Sequence, residues 1–243
     1  HITLAGSVER ADDGSPRALV GVAQDVTARR TAEARLSYQA HFDEVTALPN
    51  RVLFRDRVEA AMAAARNGQH KMAVMAIDVD VLHKAQSTLT QDGSDLMLKS
   101  VASRLRSVAK ERDTLSRMDG NTFALLLAEL PEERHAAAVA TRLMAAFAQP
   151  LSVADRELLL AVSAGIAVFP NDGADVDTLL LHAGTARGRA HLMPGPGYQF
   201  YTADMQQRVQ SQYSTEVALY RGLERNEFEL HYQPKVELKS GRI

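Results

Sequence analysis

The sequence predicts an α+β fold with a central antiparallel sheet flanked by helices. Three observations predict it. The runs Lys71 to Ile77, Thr122 to Leu127 and Arg156 to Phe169 are dense in apolar residues and read as buried strands. Neighbouring stretches, such as Val52 to Arg66 and Gln91 to Lys110, place apolar residues at helical spacing. Asp119-Gly120-Asn121 is a tight-turn signal inside Ser116 to Leu127, so one strand pair is a hairpin.

Taken in order, Ile2 to Val8 and Arg17 to Val26 are strand-like runs joined by Asp12-Asp13-Gly14-Ser15-Pro16, a turn cluster. Two strands are too few for an independent domain, so 1–26 reads as a fragment of one. From Thr27, a candidate N-cap, to Phe42 the pattern is helical, with Val26, Ala32, Leu36 and Gln39-Ala40 spaced for one face. Such a helix either joins domains as a dimer-forming coil or packs on its own domain. Pro49 stops a helix and Asn50 can cap the next, which carries Leu53, Phe54, Val58, Ala61, Met62 and Ala65 and closes at Asn67-Gly68.

Gln91 to Lys110 turns Leu96, Leu98, Val101, Leu105 and Val108 inward. Pro131 opens a helix that runs to Phe147. Asn171-Asp172-Gly173 leads from the Arg156 to Phe169 strand into a helix from Val176 to Met193. Pro194-Gly195-Pro196-Gly197 then breaks that helix before a strand at Tyr198 to Tyr201. Ala203 to Leu223 reads as a connecting helix and Phe228 to Val236 as a strand with no partner. This order is that of a ferredoxin-like or palm domain over Asp43 to Thr202.

Composition narrows the function. Of 243 residues, 46% are hydrophobic and 24% charged, ordinary values for a globular chain that buries a core. With 28 Lys+Arg against 30 Asp+Glu the net charge is −2, so no whole-chain field drives binding to nucleic acid or an anionic membrane. Cys is absent, which excludes disulfide and thiolate chemistry. The sequence has no apolar run of about 18 residues and no signal-peptide pattern, and the expected location is the cytoplasm.

Two features can carry chemistry. Asp78 and Asp80 fall at the end of the Lys71 to Ile77 strand and on one side of it, which suits either a divalent-metal site or a solvated strand end. The Asp119-Gly120-Asn121 tip is either a phosphate cradle or a plain turn. Palm domains place metal-binding carboxylates at the end of the first strand and on the adjacent hairpin, which makes Asp78 and this tip the places to look.

Several stretches together resemble the GGDEF family of diguanylate cyclase domains. They are F-D-E-V-T-A-L-P-N-R at 42–51, I-D-V-D at 77–80, D-G-S-D at 92–95, R-M-D-G-N-T-F-A-L-L-L at 117–127 and S-A-G-I-A-V-F-P-N-D-G at 163–173. The flank V-G-V-A-Q-D-V-T-A-R-R at 20–30 resembles the end of a PAS domain, and 223–243 resembles the opening of an EAL phosphodiesterase domain. The resemblance implies a PAS fragment at 1–26, a connecting helix at 27–42, a GGDEF domain at 43–202, a linker helix at 203–222 and an EAL fragment at 223–243. It also implies a reaction in which two GTP molecules on two subunits are joined into cyclic di-GMP with Mg²⁺ neutralising the triphosphates.

At the matching positions the sequence departs from the pattern. The first glycine of the signature turn is Asp119, Gly120 is kept, and the two acidic residues that follow are Asn121 and Thr122. The implied metal ligands are Asp78 and the weakened Asn121, with Asp80 matching the second acid of its strand. On the guanine side Asp95 is kept and asparagine is Gln86; the lysine after the aspartates is His83, with Lys84 next to it.

The helix A-D-x-A-M-Y-x-A-K reads A-G-T-A-R-G-R-A-H here, so a phosphate-contacting lysine is His191, and a basic residue four positions on is Gly195. Arg187 and Arg189 lie nearby, with nothing in the spacing to assign them. The product-inhibition motif R-x-x-D is Lys110-Glu111-Arg112-Asp113, which loses the bidentate fork and reads better as a helix-end ion pair than as a cyclic di-GMP site. Gln233 matches a substrate-contacting glutamine of EAL domains.

Losing these phosphate cations and a metal ligand would cost a cyclase on the order of 10³-fold or more in rate. The expectation is therefore a catalytically inactive GGDEF domain, a regulatory and dimerising module attached to an EAL domain. It has no cofactor of its own, unless GTP binds weakly with Mg²⁺ through Asp78, Asp95, Gln86, Gly120 and His191. The alternative is a weakly active diguanylate cyclase.

Overall fold

A computed structural model of the chain describes residues 1–10, 12, 14–81, 90–153, 156–193, 197–205, 215, 218–219, 221–225, 227–231 and 239. Contacts divide the chain into one unit, His1–Tyr201, and a second, Thr202–Ile243.

The first unit opens with β1 (Ile2–Arg10) and β2 (Pro16–Asp25), an antiparallel pair in register from Ile2↔Asp25 to Arg10↔Pro16, exposed along both strands. Helix α1 spans Thr27–Gln39. Thr27 is its first helical residue rather than its N-cap: the cap is Val26, and the Thr27 N–H donates to the Asp25 carboxylate at 2.9 Å. Leu36, expected on an inward face, is exposed.

The palm follows as predicted in class and order. Helix α2 (Arg51–Gly68) is capped by Asn50, whose Oδ1 accepts from Val52 N and Leu53 N at 3.0 and 3.1 Å. Its left-handed terminal residue is Gln69 (φ 51°), one place beyond the expected Asn67-Gly68.

Strand β3 (Lys71–Val81) extends four residues past the predicted Ile77, so Asp78 and Asp80 lie within the strand rather than at its end. The ladder explains the extension, since Asp78 pairs with Ser163 and Asp80 with Ala161. Helix α3 (Gln91–Val108) buries Met97 and Leu98 but exposes Leu96, because the inward stripe starts one residue later than expected.

Then come β4 (Thr114–Asp119), β5 (Thr122–Leu130), α4 (Glu133–Ala146), β6 (Leu151–Val153), β7 (Arg156–Leu158), β8 (Leu160–Phe169), α5 (Val176–His191) and β9 (Gly197–Phe200). The single strand expected over Arg156 to Phe169 is divided at Leu159. Its first part pairs with β6 as a separate small hairpin, a pairing with no strong turn signal.

The main sheet has the order β4-β5-β3-β8-β9 and is antiparallel except for β9, which joins β8 in parallel. Period-2 alternation sends β3 side chains to two cores. Met75, Ile77 and Val79 pack with Leu98, Leu105 of α3 and Leu143 of α4. On the other face Met72 and Val74 pack with Phe54, Val58 of α2 and Leu179, Ala183 of α5.

That second layer is unusually thin at Gly165 of β8. A Cβ there would stand 2.0 Å from Arg187 N and 2.1 Å from Ala183 O, so the backbone of α5 rests on the strand where only glycine fits.

In the second unit, 203–205 and 221–224 are helical, matching the predicted connecting helix and running one residue past its expected end at Leu223. The expected strand does not begin at Phe228: 228–231 form no ladder, and 232–236 lie outside the described residues. An isolated strand leaves its backbone groups without ladder partners.

Candidate functional site

The β3 register places the predicted residues together. Asp78 sits opposite Thr122 on β5, and the Val79 N–H donates to the Asn121 carbonyl at 3.2 Å, tying the hairpin tip to β3. Asp119 pairs with Thr122 across a two-residue loop, Gly120-Asn121, with Gly120 at φ 47°. Positive φ at the first loop residue is the II′ arrangement, which glycine permits. Of the three turn residues only Gly120 uses its left-handed freedom.

Arg117 of β4 holds the tip from behind. Its Nε and Nη2 donate to the Gly120 carbonyl at 3.1 and 3.0 Å, while Nη1 donates to both Asp43 oxygens at 3.1 and 3.0 Å. Asp43 also accepts from Thr46 N and Oγ1 at 2.8 and 2.6 Å. Burial alone would raise the Asp43 pKa. The Thr46 hydrogen bonds and the Arg117 guanidinium outweigh it, and the carboxyl is held below its usual range.

Asp78, the predicted metal ligand, is already engaged. Its Oδ1 accepts from Thr122 Oγ1 at 2.8 Å and from Arg187 Nη1 at 3.0 Å, and the same Nη1 lies 3.3 Å from Thr122 Oγ1. Side chains of Arg187 and Asp78 are only 27% and 25% exposed. Four residues along α5, His191 Nδ1 lies 3.4 Å from Asp80 Oδ2. Two carboxylates at i and i+2 of a strand thus face two basic side chains at i and i+4 of a helix.

The Mg²⁺ implied by the resemblance does not fit these residues. A guanidinium has only donors and cannot ligate, and Thr122 has turned its hydroxyl proton to Asp78. Two unit positive charges about 4 Å apart repel by about 4 kcal/mol at an effective dielectric of 20, and a divalent ion doubles that. Among the described residues no group of three His, Cys, Asp or Glu side chains could hold a metal.

Beside this contact is a cleft of about 200 Å³ lined by Arg51, Met118, Asp119, Thr122, Gly184 and Arg187 among others. Asp119, mostly exposed, stands 4.0 Å from Arg51. Asp95 is half-buried in the first turns of α3 and accepts a long 3.4 Å contact from Gln91. Gln86, His83, Lys84, Gly195 and Gln233 lie outside the described residues.

At the K-x-x-D stretch the Asp113 carboxylate accepts from the Lys110 N–H at 2.8 Å, and Arg112 pairs with Glu129. The residue that sequence reasoning left unassigned is Arg187. It lies four residues after buried Ala183 and four before His191 on α5, a placement that singles it out only once β3 is known to lie beneath that helix.

These elements make an α+β palm domain, a mixed sheet with a carboxylate on its central strand beside a tight hairpin. The family described as "Diguanylate cyclase, GGDEF domain" matches residues 40–192, and this chain belongs to it.

The chain is 34% identical over 215 residues to MucR of Pseudomonas aeruginosa, named as a bifunctional diguanylate cyclase/cyclic di-GMP phosphodiesterase, covering 88% of this chain and 31% of MucR. It is 30% identical over 212 residues to the cyclic di-GMP phosphodiesterase PdeR of Escherichia coli, covering 87% of this chain and 32% of PdeR. It therefore spans about a third of the length of these curated relatives. Among solved structures, the isolated GGDEF domain of TpbB (YfiN) from P. aeruginosa is similar with a TM-score of 0.67 at 27% identity, over 70% of this chain and 99% of that one. No helix among the described residues is long and apolar enough to cross a membrane.

Proposed function

We propose that this chain is a GGDEF domain of cyclic di-GMP signalling that has lost the condensation of GTP and acts as a regulatory and dimerising module. In this reading 1–26 ends a PAS domain, 27–42 is a connecting helix, 43–202 is the GGDEF domain, 203–222 is a linker, and 223–243 opens an EAL phosphodiesterase domain.

One observation carries the reading: the Asp78 carboxylate that would hold a metal is taken by Arg187 and Thr122. Asn121 and Thr122 stand where the signature has acids, so at these two positions the hairpin supplies neither a metal-binding carboxylate nor a carboxylate base. Asp119 brings negative charge to the turn that a triphosphate would approach. Any nucleotide that occupies the cleft then serves as a signal to the EAL half rather than as a substrate.

The test is incubation of the chain at high concentration with GTP and Mg²⁺ or Mn²⁺, with cyclic di-GMP read by chromatography. No product is expected, and steady accumulation would make the chain a weak cyclase. Calorimetry with GTP separates a sensing module, which gives heat, from a spacer, which gives none.

A further inference from the structure

We infer that Arg187 is a resident cation standing where a divalent ion would otherwise sit, so this site neither takes up nor needs Mg²⁺ or Mn²⁺. The inference deepens the functional reading and rests on the same site, but it concerns the charge held there and not the reaction.

The Asp78 carboxylate, the Thr122 hydroxyl and the Arg187 guanidinium form a closed triangle of contacts at 2.8, 3.0 and 3.3 Å. Thr122 donates to Asp78, and its oxygen faces the guanidinium. The carboxylate is thus neutralised from within the chain, in surroundings with limited access to water.

The guanidinium is placed by the backbone as much as by its own length. Gly165 lets α5 lie against β8 at contact distance, with Arg187 N itself the atom nearest the missing Cβ. The Arg187 Nε is buried without a hydrogen-bond partner, an unfavourable term that the ion pair with Asp78 offsets. The His191–Asp80 contact repeats the pairing one helical turn on, so both β3 carboxylates face basic side chains. A phosphate-bearing ligand entering the adjacent cleft would meet Arg51 and Arg187 directly, without a bridging metal.

The experiment is a Mn²⁺ titration of the ¹⁵N-labelled 243-residue chain, reading paramagnetic broadening of the amides of Asp78, Val79, Asn121 and Thr122. In the unchanged protein these amides should broaden no more than those beside exposed carboxylates. Arg187→Met, which keeps the side chain's length and removes its charge, should bind Mn²⁺ at Asp78 roughly tenfold or more tighter. Arg187→Lys should stay as inert as the parent. The double variant Asp78→Asn/Arg187→Met removes both charges, controls for folding through its amide spectrum, and should lose the gained binding.

Broadening in the unchanged protein that Asp78→Asn abolishes would overturn the inference, as would an Arg187→Met variant no more responsive than the parent. Neither result depends on cyclic di-GMP formation, so an inactive protein that binds Mn²⁺ at Asp78 would sink this inference and leave the functional reading standing.

Discussion

Two arginine–aspartate pairs stand on either side of the hairpin, and they differ in how completely the arginine is used. Arg117 commits Nε, Nη1 and Nη2, bridging Asp43 to the Gly120 carbonyl, with the Asp43 carboxylate further satisfied by Thr46. Arg187 commits Nη1 to Asp78 and Thr122 and leaves Nε buried and unbonded. The first pair is also more enclosed, with Arg117 14% and Asp43 22% exposed. A fully satisfied network rigidifies a scaffold, whereas a partly satisfied one carries the cost of a buried polar group left without a partner. The Asp43 pair ties the hairpin tip to the segment before α2, and the Asp78 pair ties β3 to α5.

The sharpest way to break this comparison is to lift α5 off the sheet. Gly165→Ala puts a methyl against backbone atoms at 2.0 and 2.1 Å, which flexible side chains cannot relieve. We expect a loss of about 3 kcal/mol or more in urea denaturation, at or beyond the upper end of overpacking costs. A loss below about 1 kcal/mol would mean that α5 is not seated as described.

Next comes Arg117→Ala, which strips the cation from a mostly buried carboxylate and frees the hairpin tip. A loss of about 3 kcal/mol is expected by the same measurement. Arg187→Met should cost less, about 1 kcal/mol, because Asp78 keeps Thr122 and the unbonded Nε disappears with the charge. If the two substitutions cost the same, the distinction between the fully and the partly satisfied pair fails.

The smallest effect is in pH. The Asp43 carboxyl is depressed in the folded state, so its contribution to stability is fully present above the unfolded value of about 3.9 and is lost as pH falls through the lower folded value. The stability gap between the parent and Asp43→Asn should therefore be flat from about pH 5 to 8 and shrink below about pH 4.

Much of the fold was legible because apolar periodicity and turn chemistry agree along the palm. The Asn50 cap, the hairpin at Gly120 and the helices α2 to α5 all follow from local residues. What escaped was set by partners distant in sequence. The extension of β3 through Asp78 and Asp80 depends on ladder bonds from β8, and the division at Leu159 depends on β6. The parallel arrival of β9 depends on where α5 delivers the chain.

At the site, the losses at Asp119, Asn121 and Thr122 were visible as residues. The engagement of Asp78 by Arg187 was not, because 109 positions separate them and only the sheet joins them. Thr122 read as a missing acid; in place it is a hydroxyl donor to the carboxylate opposite.

The glycine at 165 also sets a ruler. With no methyl in the way, α5 rests on β8, and from that helix Arg187 reaches Asp78 on β3 at 3.0 Å. Position 187 matches a methionine in the A-D-x-A-M-Y pattern of the resemblance, and the arginine found there puts a positive charge on Asp78. The charge that reaches Asp78 thus hangs on one side chain of α5, while the seating of that helix hangs on a residue of β8.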